Sequence, residues 1–466
     1  MKKKFAKNKG ITLIALILTI IIMLILVAVT VSIVINSGLL DTTKKAVNDY
    51  KTSWDKESRL GENITIGDRT YNSIEEYKQI VLGQEGNIPT ITPTPTPASV
   101  IAGQKATARS FYDDGEATYP AQIPAGFTVS GNEDEDEISE GLVIYYINNL
   151  TDEQIANINW TNLTASNGTI NLKETYDQFV WIPIDDADDM FMCQGSTASG
   201  SCDLDINGAG QPYCKNHTGE NSTKMAGRLY CDEDEWEFDP DPSASIGTYI
   251  NEGWLREPDK CTSTNTSYVD PEIENTLAGN LQTEYNAMVK SVIENKGFWV
   301  GRYETSQMDG ENSIKVVAGT TDGISDVTWY IMYDKQKAYA TNFGLTGGMI
   351  SGAAYDQVMI FVHDETNYDV TEAENVDHDF EEPYNTGSQS GDQSKNIFDL
   401  EGNVCEWTTE VGSEVGRVMR GGGYDDEDTA SCRHDGGPKR NADYKGSRIS
   451  LYLWLKMNNI SKYRNV

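Results

Sequence analysis

Basic charge is what this chain has least of. Only 37 Lys and Arg stand against 72 Asp and Glu in 466 residues, a formal net charge of −35. Such a balance excludes nucleic acid as a partner, because binding phosphates needs a basic footprint. It fits a soluble extracellular surface and divalent cations. The acidic runs Glu133–Glu137, Asp232–Glu237 and Asp425–Asp428 read as solvated loops. Cysteine is scarce as well, 7 in all, too few for a disulfide-built scaffold of this length. No Cys-x-x-Cys occurs, and no His-x-His or His-x-x-x-His spacing that would suit iron. Four of the cysteines, Cys193, Cys202, Cys214 and Cys231, crowd into a stretch rich in Gly, Ser, Asn and Asp. That clustering predicts a loop-rich insertion over about 186–265, stapled by one or two disulfides. A zinc site is the competing reading, weakened by wide spacings and a single nearby histidine, His217. Within the same stretch Asp203, Asp205, Asn207 and Gly208 match half of an EF-hand loop, but Cys214 stands at its twelfth position. A plain turn is the better account.

One long apolar run is present. Lys2, Lys3, Lys4, Lys7 and Lys9 precede Gly10, and Ile11–Ile35 follows with only Thr and Ser as interruptions. Its length is enough to span a bilayer as one helix, with the basic flank cytoplasmic and the remainder outside. A conventional signal peptide has a shorter apolar core and a small-residue cleavage site. The helix is predicted to continue past the membrane to about residue 60, on an apolar stripe of Leu39, Leu40, Ala46, Val47, Tyr50 and Trp54, and Gly61 stops it. Residues 61–100 read as a linker whose end, Ile88–Pro97, alternates Thr and Pro. Polyproline II geometry makes such a segment a semi-rigid spacer of about 3 Å per residue.

The segment KNKGITLIALILTIIIMLIL resembles a type IV prepilin N-terminus. The resemblance implies a leader, residues 1–10, cut by prepilin peptidase between Gly10 and Ile11, and methylation of the new terminus. Most pilins then carry Glu at the fifth mature position, where it pairs with a neighbour's terminal amine. Here that position is Ala15, so a minor or tip pilin, or simple membrane display, fits better than a filament-forming subunit.

Beyond the linker, residues 101–466, two segments stand out: NIFDLEGNVCEW (Asn396–Trp407) and RVMRGGGY (Arg417–Tyr424). Ile397, Leu400, Val404 and Trp407 are apolar anchors around an acidic, Gly-containing turn, and Gly421–Gly423 permit positive φ or close backbone approach. The pair resembles the formylglycine-generating-enzyme (sulfatase-modifying-factor) family, which has a C-type-lectin-like fold. FVWIPI (Phe179–Ile184) looks like its opening strand, and GFWVGRYETS (Gly297–Ser306) like the strand that ends in Tyr-Glu. Val327-Thr328-Trp329 looks like its V-S/T-W segment, and Gly446-Ser447-Arg448 stands where Gly-Phe-Arg is usual. The implied fold class is α+β: a long N-terminal helix, a Thr-Pro linker, and a C-type-lectin-like domain with a Cys-containing insertion.

The resemblance implies Ca²⁺ at Asp399, Gly402, Val404 and Glu406, through two side chains and two backbone carbonyls, a donor set that suits a hard cation. The alternative is that Asp399 caps a turn and Glu406 pairs with an arginine such as Arg420. Copper is not expected. The family's oxidases hold Cu(I) on two thiols, and here Asp426 and Ser431 stand about where those thiols would be, leaving Cys432 as the sole cysteine of the segment. Cys432 is expected to pack or to pair with Cys405 instead of forming a nucleophile–base pair with His434. With no thiol pair, an enzyme is not the expectation. The segment Tyr424–Lys445 is expected to form an exposed ligand face using Tyr424, Asp425, Asp426, Asp428, Arg433, His434, Arg440, Asn441 and Tyr444. The sequence therefore predicts a single-pass, cell-surface pilin-like adhesin whose distal domain binds a protein or glycan. A non-copper enzyme of the same superfamily, and a structural pseudopilin that primes filament assembly, are the alternatives.

Overall fold

The computed structural model describes residues 64–66, 69–71, 98–107, 110–165, 171–193, 203–207, 211–215, 225–227, 260–261, 263, 265–307, 314–319, 327–364, 366–373, 380–412, 416–424, 428–442 and 444–453. The chain divides into two compact units, Met1–Thr94 and Pro95–Val466. The described part of the first is a short antiparallel hairpin, Ile64–Ile66 with Arg69–Tyr71. The leader, apolar run and Thr-Pro spacer lie outside the described residues. Among the described residues no helix is long and apolar enough to cross a membrane.

The second unit is mixed α and β, with sheets and few helices, compatible with the α+β class. Its two principal sheets use β1 (Phe127–Val129), β2 (Val143–Tyr146), β3 (Gln178–Pro183), β4 (Gly297–Gly301), β5 (Thr346–Met349), β6 (Cys405–Val411), β7 (Arg417–Arg420), β8 (Arg433–Gly436), β9 (Lys445–Ser447) and β10 (Ile449–Tyr452). A six-stranded sheet runs β5-β10-β4-β3-β2-β1, and a four-stranded one runs β8-β7-β6-β9. All pairs in the larger sheet are antiparallel. In the smaller sheet β6 and β9 pair in parallel, with Glu406 opposite Gly446. The FVWIPI segment is the central β3, and two strands of the same sheet precede it, so it does not open the fold as its sequence implied.

Side chains alternate between the faces of a strand, and here both faces are covered. Val180, Ile182, Phe298 and Val300 enter one core, while Phe179, Trp181 and Trp299 enter the other. Such strands read as continuous apolar runs instead of alternating ones, which is why FVWI and GFWV stood out. The first core is closed by α1 (Pro271–Asn295) and α3 (Gly352–Val362), through Met288, Val289, Val292, Val358 and Met359. A third core joins the sheets: Trp329, Met332 and Tyr333 of α2 (Trp329–Asn342) pack with Cys405, Trp407 and Met419.

Each helix starts on a side-chain cap that satisfies otherwise orphaned amides. Asp270 caps α1 ahead of Pro271, Thr328 caps α2, and Ser351 caps α3. The V-T-W segment is thus a helix start. Trp329 stacks on Tyr333 at 5.1 Å between centroids, and its indole N–H donates to the Thr408 carbonyl at 2.8 Å. At Gly421, φ is +71°, and an added Cβ would lie 2.4 Å from the Leu400 carbonyl oxygen. Gly421→Ala should therefore destabilise the domain by about 1–3 kcal/mol. Gly279, which lies in α1 with open space around it, is the opposite case, and its change to Ala should stabilise by about 0.5–1 kcal/mol. Urea unfolding midpoints check both. Equal midpoints for the two variants would contradict this assignment of the RGGG turn.

Candidate functional site

The Asn396–Trp407 segment reverses tightly because Asn396, Asp399 and Asn403 all adopt positive φ, at 64°, 59° and 72°. The turn is held from inside by carboxylates. Asp392 accepts from the amides of Leu400, Glu401 and Gly402 at 3.2, 3.1 and 2.9 Å, and from the Tyr368 hydroxyl at 2.6 Å. Asp399 accepts from the Gly387 amide at 2.8 Å. Glu304 accepts from the Val404 amide at 3.2 Å and from the Asn403 side chain. Glu406 pairs with an arginine, but with Arg448: Nε lies 2.8 Å and Nη2 2.6 Å from Oε1. Arg420, the partner expected from sequence, instead binds Asp356 at 2.6 Å. Arg448 also donates to the carbonyls of Gly301, Phe398 and Asp399 at 3.0, 2.7 and 3.0 Å.

All these groups are buried. Burial pushes the Glu304 and Asp399 carboxyls well above the usual range, and neighbouring carboxylates push them further: Asp399 and Glu406 act on Glu304, and Asp392 acts on Asp399. Glu406 is pushed up to about 7 by burial, against the pull of Arg448. One of its oxygens, Oε2, is buried without a hydrogen-bond partner. That orphaned acceptor, in an oxygen-rich and net acidic interior, fits the donor chemistry of a hard cation. Asp392 is in no motif of the sequence, and Glu304 stands out there only as the Glu of a strand-ending Tyr-Glu pair. Both come from segments that meet the turn only through the fold.

The Tyr424–Lys445 segment divides. Tyr424 is buried, not exposed as expected, and the Phe380 amide donates to its carbonyl at 3.4 Å. Arg433 is committed to the buried carboxylate of Glu410, so it is not available as a ligand contact. Asp425 and Asp426 lie outside the described residues. Ser431, near one expected thiol position, is buried beside Thr429. His434, Arg440, Asn441 and Tyr444 are exposed, and Asp428 is half-buried. Arg440 stacks over the Tyr268 ring at 4.0 Å, an aromatic from before α1 that the sequence did not flag. Lys445 lies buried between Trp407 and Tyr444, with Nζ 5.0 and 5.4 Å from their ring centres. His434 lies on β8, one edge strand of the smaller sheet, Arg440 and Asn441 follow it in the chain, and Tyr444 immediately precedes β9, the opposite edge strand.

Cys432 and His434 do meet. They are two apart on an extended chain, hence on the same side, with Sγ 3.2 Å from Nε2. Asp428 Oδ2 lies 2.5 Å from the same nitrogen. The Cys432 hydrogen bond, with the Asp428 carboxylate behind it, raises the imidazole to about 9. Neither Cys405 nor Cys432 is in a disulfide, so the expected pairing of those two does not form. Cys214 is disulfide-bonded and buried. Cys193 ends the strand Phe191–Cys193, and Cys202 and Cys231 lie outside the described residues. Asp203, Asp205 and Asn207 of the half-EF-hand motif lie on or beside the strand Leu204–Ile206, which pairs with Pro212–Cys214, and Lys215 bridges Asp203 and Asp205 at 3.0 and 3.4 Å; Gly208 lies outside the described residues.

No family model matches the chain, and no curated protein matches it. Among solved structures it is similar to Treponema denticola variable protein 1, at 14% identity over 34% of this chain and 85% of that one, with a TM-score of 0.27. PvdO from Pseudomonas aeruginosa matches at 14% identity over 34% and 82% of the two chains, with a TM-score of 0.25. CarF matches at 14% over 34% and 87%, also at 0.25. These likenesses are weak, and they carry no conclusion about what this chain does.

The acidic interior has a measurable consequence. A carboxyl whose folded pKa lies above its unfolded value stabilises the fold below the unfolded value and loses that contribution as pH rises through the folded one. For Glu406 the window runs from 4.5 to about 7. Without divalent cations, the gain in Tm on lowering the pH through this window should be smaller in Glu406→Gln than in the parent. Parallel Tm profiles would show that Glu406 is already fully ionised.

Proposed function

We propose that this chain is a cell-surface binding protein of pilin-like architecture, in which a C-type-lectin-like distal domain recognises a protein or glycan. Supporting the reading above all are the exposed residues His434 on one edge strand of the smaller sheet, Arg440 and Asn441 after it, and Tyr444 beside the opposite edge strand, with Arg440 stacked on Tyr268. Stacked Arg and exposed Tyr are side chains that dominate binding energy at interfaces, since they combine area with directional hydrogen bonding. The sheet whose edge strands flank them is fixed by buried ion pairs, so little ordering of that support is needed on binding. In this reading the N-terminal apolar run, a substrate of prepilin peptidase at Gly10 and Ile11, anchors the protein in the membrane or among other pilin subunits. The protein has no oxidase chemistry, and copper is not its cofactor.

Calcium belongs to the same proposal. Asp399, Gly402, Val404 and Glu406 would hold it, and the ion would neutralise the buried carboxylates and supply the partner that Glu406 Oε2 lacks. Titration calorimetry on the full-length protein should show Ca²⁺ binding and a rise in Tm, both lost in Glu406→Gln. Absence of heat in the parent would remove calcium from the account.

The binding reading is tested by a glycan and surface-protein screen with the full-length protein. Arg440→Ala and Tyr444→Ala should each weaken any hit by about 1–3 kcal/mol without moving Tm. Unchanged affinity in both variants would mean that the face lies elsewhere.

A further inference from the structure

We propose that Asp428, Cys432 and His434 form a binding site for a borderline divalent cation, best Zn²⁺, at the edge of the smaller sheet. The ligand atoms, a thiol sulfur, an imidazole nitrogen and a carboxylate oxygen, all lie within 4.8 Å of one another. One ion with bond lengths of about 2.0–2.3 Å can therefore reach all three after small rotamer adjustments. The site is built by local geometry. Cys432 and His434 are an i, i+2 pair at the start of β8, whose register is fixed by pairing with β7, Arg433 opposite Arg420 and His434 opposite Met419. The intervening Arg433 points to the other side and is anchored on Glu410. Asp428 arrives from the preceding loop.

A nucleophile–base arrangement is the natural rival, and the geometry argues against it. In a Cys–His–Asp triad the thiol and the acid bind opposite ring nitrogens, so that a proton can pass across the imidazole. Here both the sulfur and the carboxylate approach the same atom, Nε2, at 3.2 and 2.5 Å. One nitrogen cannot serve both partners of a proton relay. Three donor atoms crowded at one point are instead the arrangement that a cation resolves.

The donor set selects the ion. One thiolate, one imidazole and one carboxylate are neither the two soft thiolates that Cu(I) prefers nor the all-oxygen shell of Ca²⁺. They suit Zn²⁺, which takes S, N and O ligands in tetrahedral sites and, with three protein ligands, keeps a position for water or a bound group. Because His434 and Asp428 are partly solvent-exposed, that fourth position faces outward. The site lies within the proposed binding face but does not depend on it, because metal uptake can be measured without any macromolecular ligand.

The test uses full-length protein stripped with chelator and then equilibrated with Zn²⁺ in excess Ca²⁺, which saturates the hard acidic sites. One Zn²⁺ per chain should be retained. Cys432→Ser and His434→Ala should each weaken it by about 100-fold or more, and Asp428→Asn should weaken it to a smaller degree. Co²⁺ on the parent protein should give thiolate-to-metal charge-transfer absorption, and Cys432→Ser should abolish it with Tm unchanged. A Co²⁺ spectrum on the parent without that band would overturn the proposal, whatever the variants do. So would zinc affinity that Cys432→Ser and His434→Ala leave intact.

Discussion

The buried guanidinium of Arg448 is the constraint on which the rest of the distal unit depends. Its donors reach Glu406 of β6, the carbonyl of Gly301 at the end of β4, and the carbonyls of Phe398 and Asp399 in the acidic turn. Sitting between β9 and β10, it links the six-stranded sheet, the four-stranded sheet and the turn through one planar group. An arginine suits this role because its fork of donors is fixed in direction and stays charged in a buried setting. Removing either member of such a pair leaves an uncompensated buried charge, which costs about 3–5 kcal/mol. Similar pairs brace the periphery: Arg302 with Glu135 at 2.7 Å, Arg417 with Glu274 at 2.6 Å, and Arg420 with Asp356 at 2.6 Å. An acidic chain thus places several of its few arginines inside, each against a buried carboxylate.

That internal use of arginine shapes the surface. With Arg433 drawn onto Glu410, β8 exposes His434 and Asp435, while Arg440 leans on Tyr268. Charged side chains on an edge strand oppose pairing with another sheet, and they also present directional hydrogen-bonding groups to a partner. The same edge hosts the Asp428–Cys432–His434 cluster. A rigid interior and a chemically varied rim are therefore two outcomes of one distribution of charge.

Much of this was legible in the sequence. Ile397, Leu400, Val404 and Trp407 are buried anchors as their pattern implied, and Gly421 takes the positive φ expected of the RGGG turn. What failed was pairing across long sequence separations. Glu406 could be matched to an arginine by charge alone, but choosing Arg448 over Arg420 requires the parallel β6–β9 register, which no local signal encodes. Tyr424 is expected at the start of an exposed ligand face, yet it is buried, with its carbonyl accepting from the Phe380 amide. Cys432 is expected to pack or to pair with Cys405, but in an extended chain residues two apart share a face, and it meets His434 instead. Asp392 carried no motif, and Glu304 only the Tyr-Glu ending of a strand, which says nothing of the turn it holds. Their role exists only where separate segments converge.

Native-state hydrogen exchange tests the central claim most directly, namely that the carboxylate–arginine interior is the most tightly held part of the distal unit. The amides of Leu400, Glu401 and Gly402, which donate to Asp392, should exchange only with the free energy of global unfolding, whereas those of Arg433–Asp435 should exchange through lower-energy local opening. Exchange of the 400–402 amides as fast as that of the β8 edge would contradict the account.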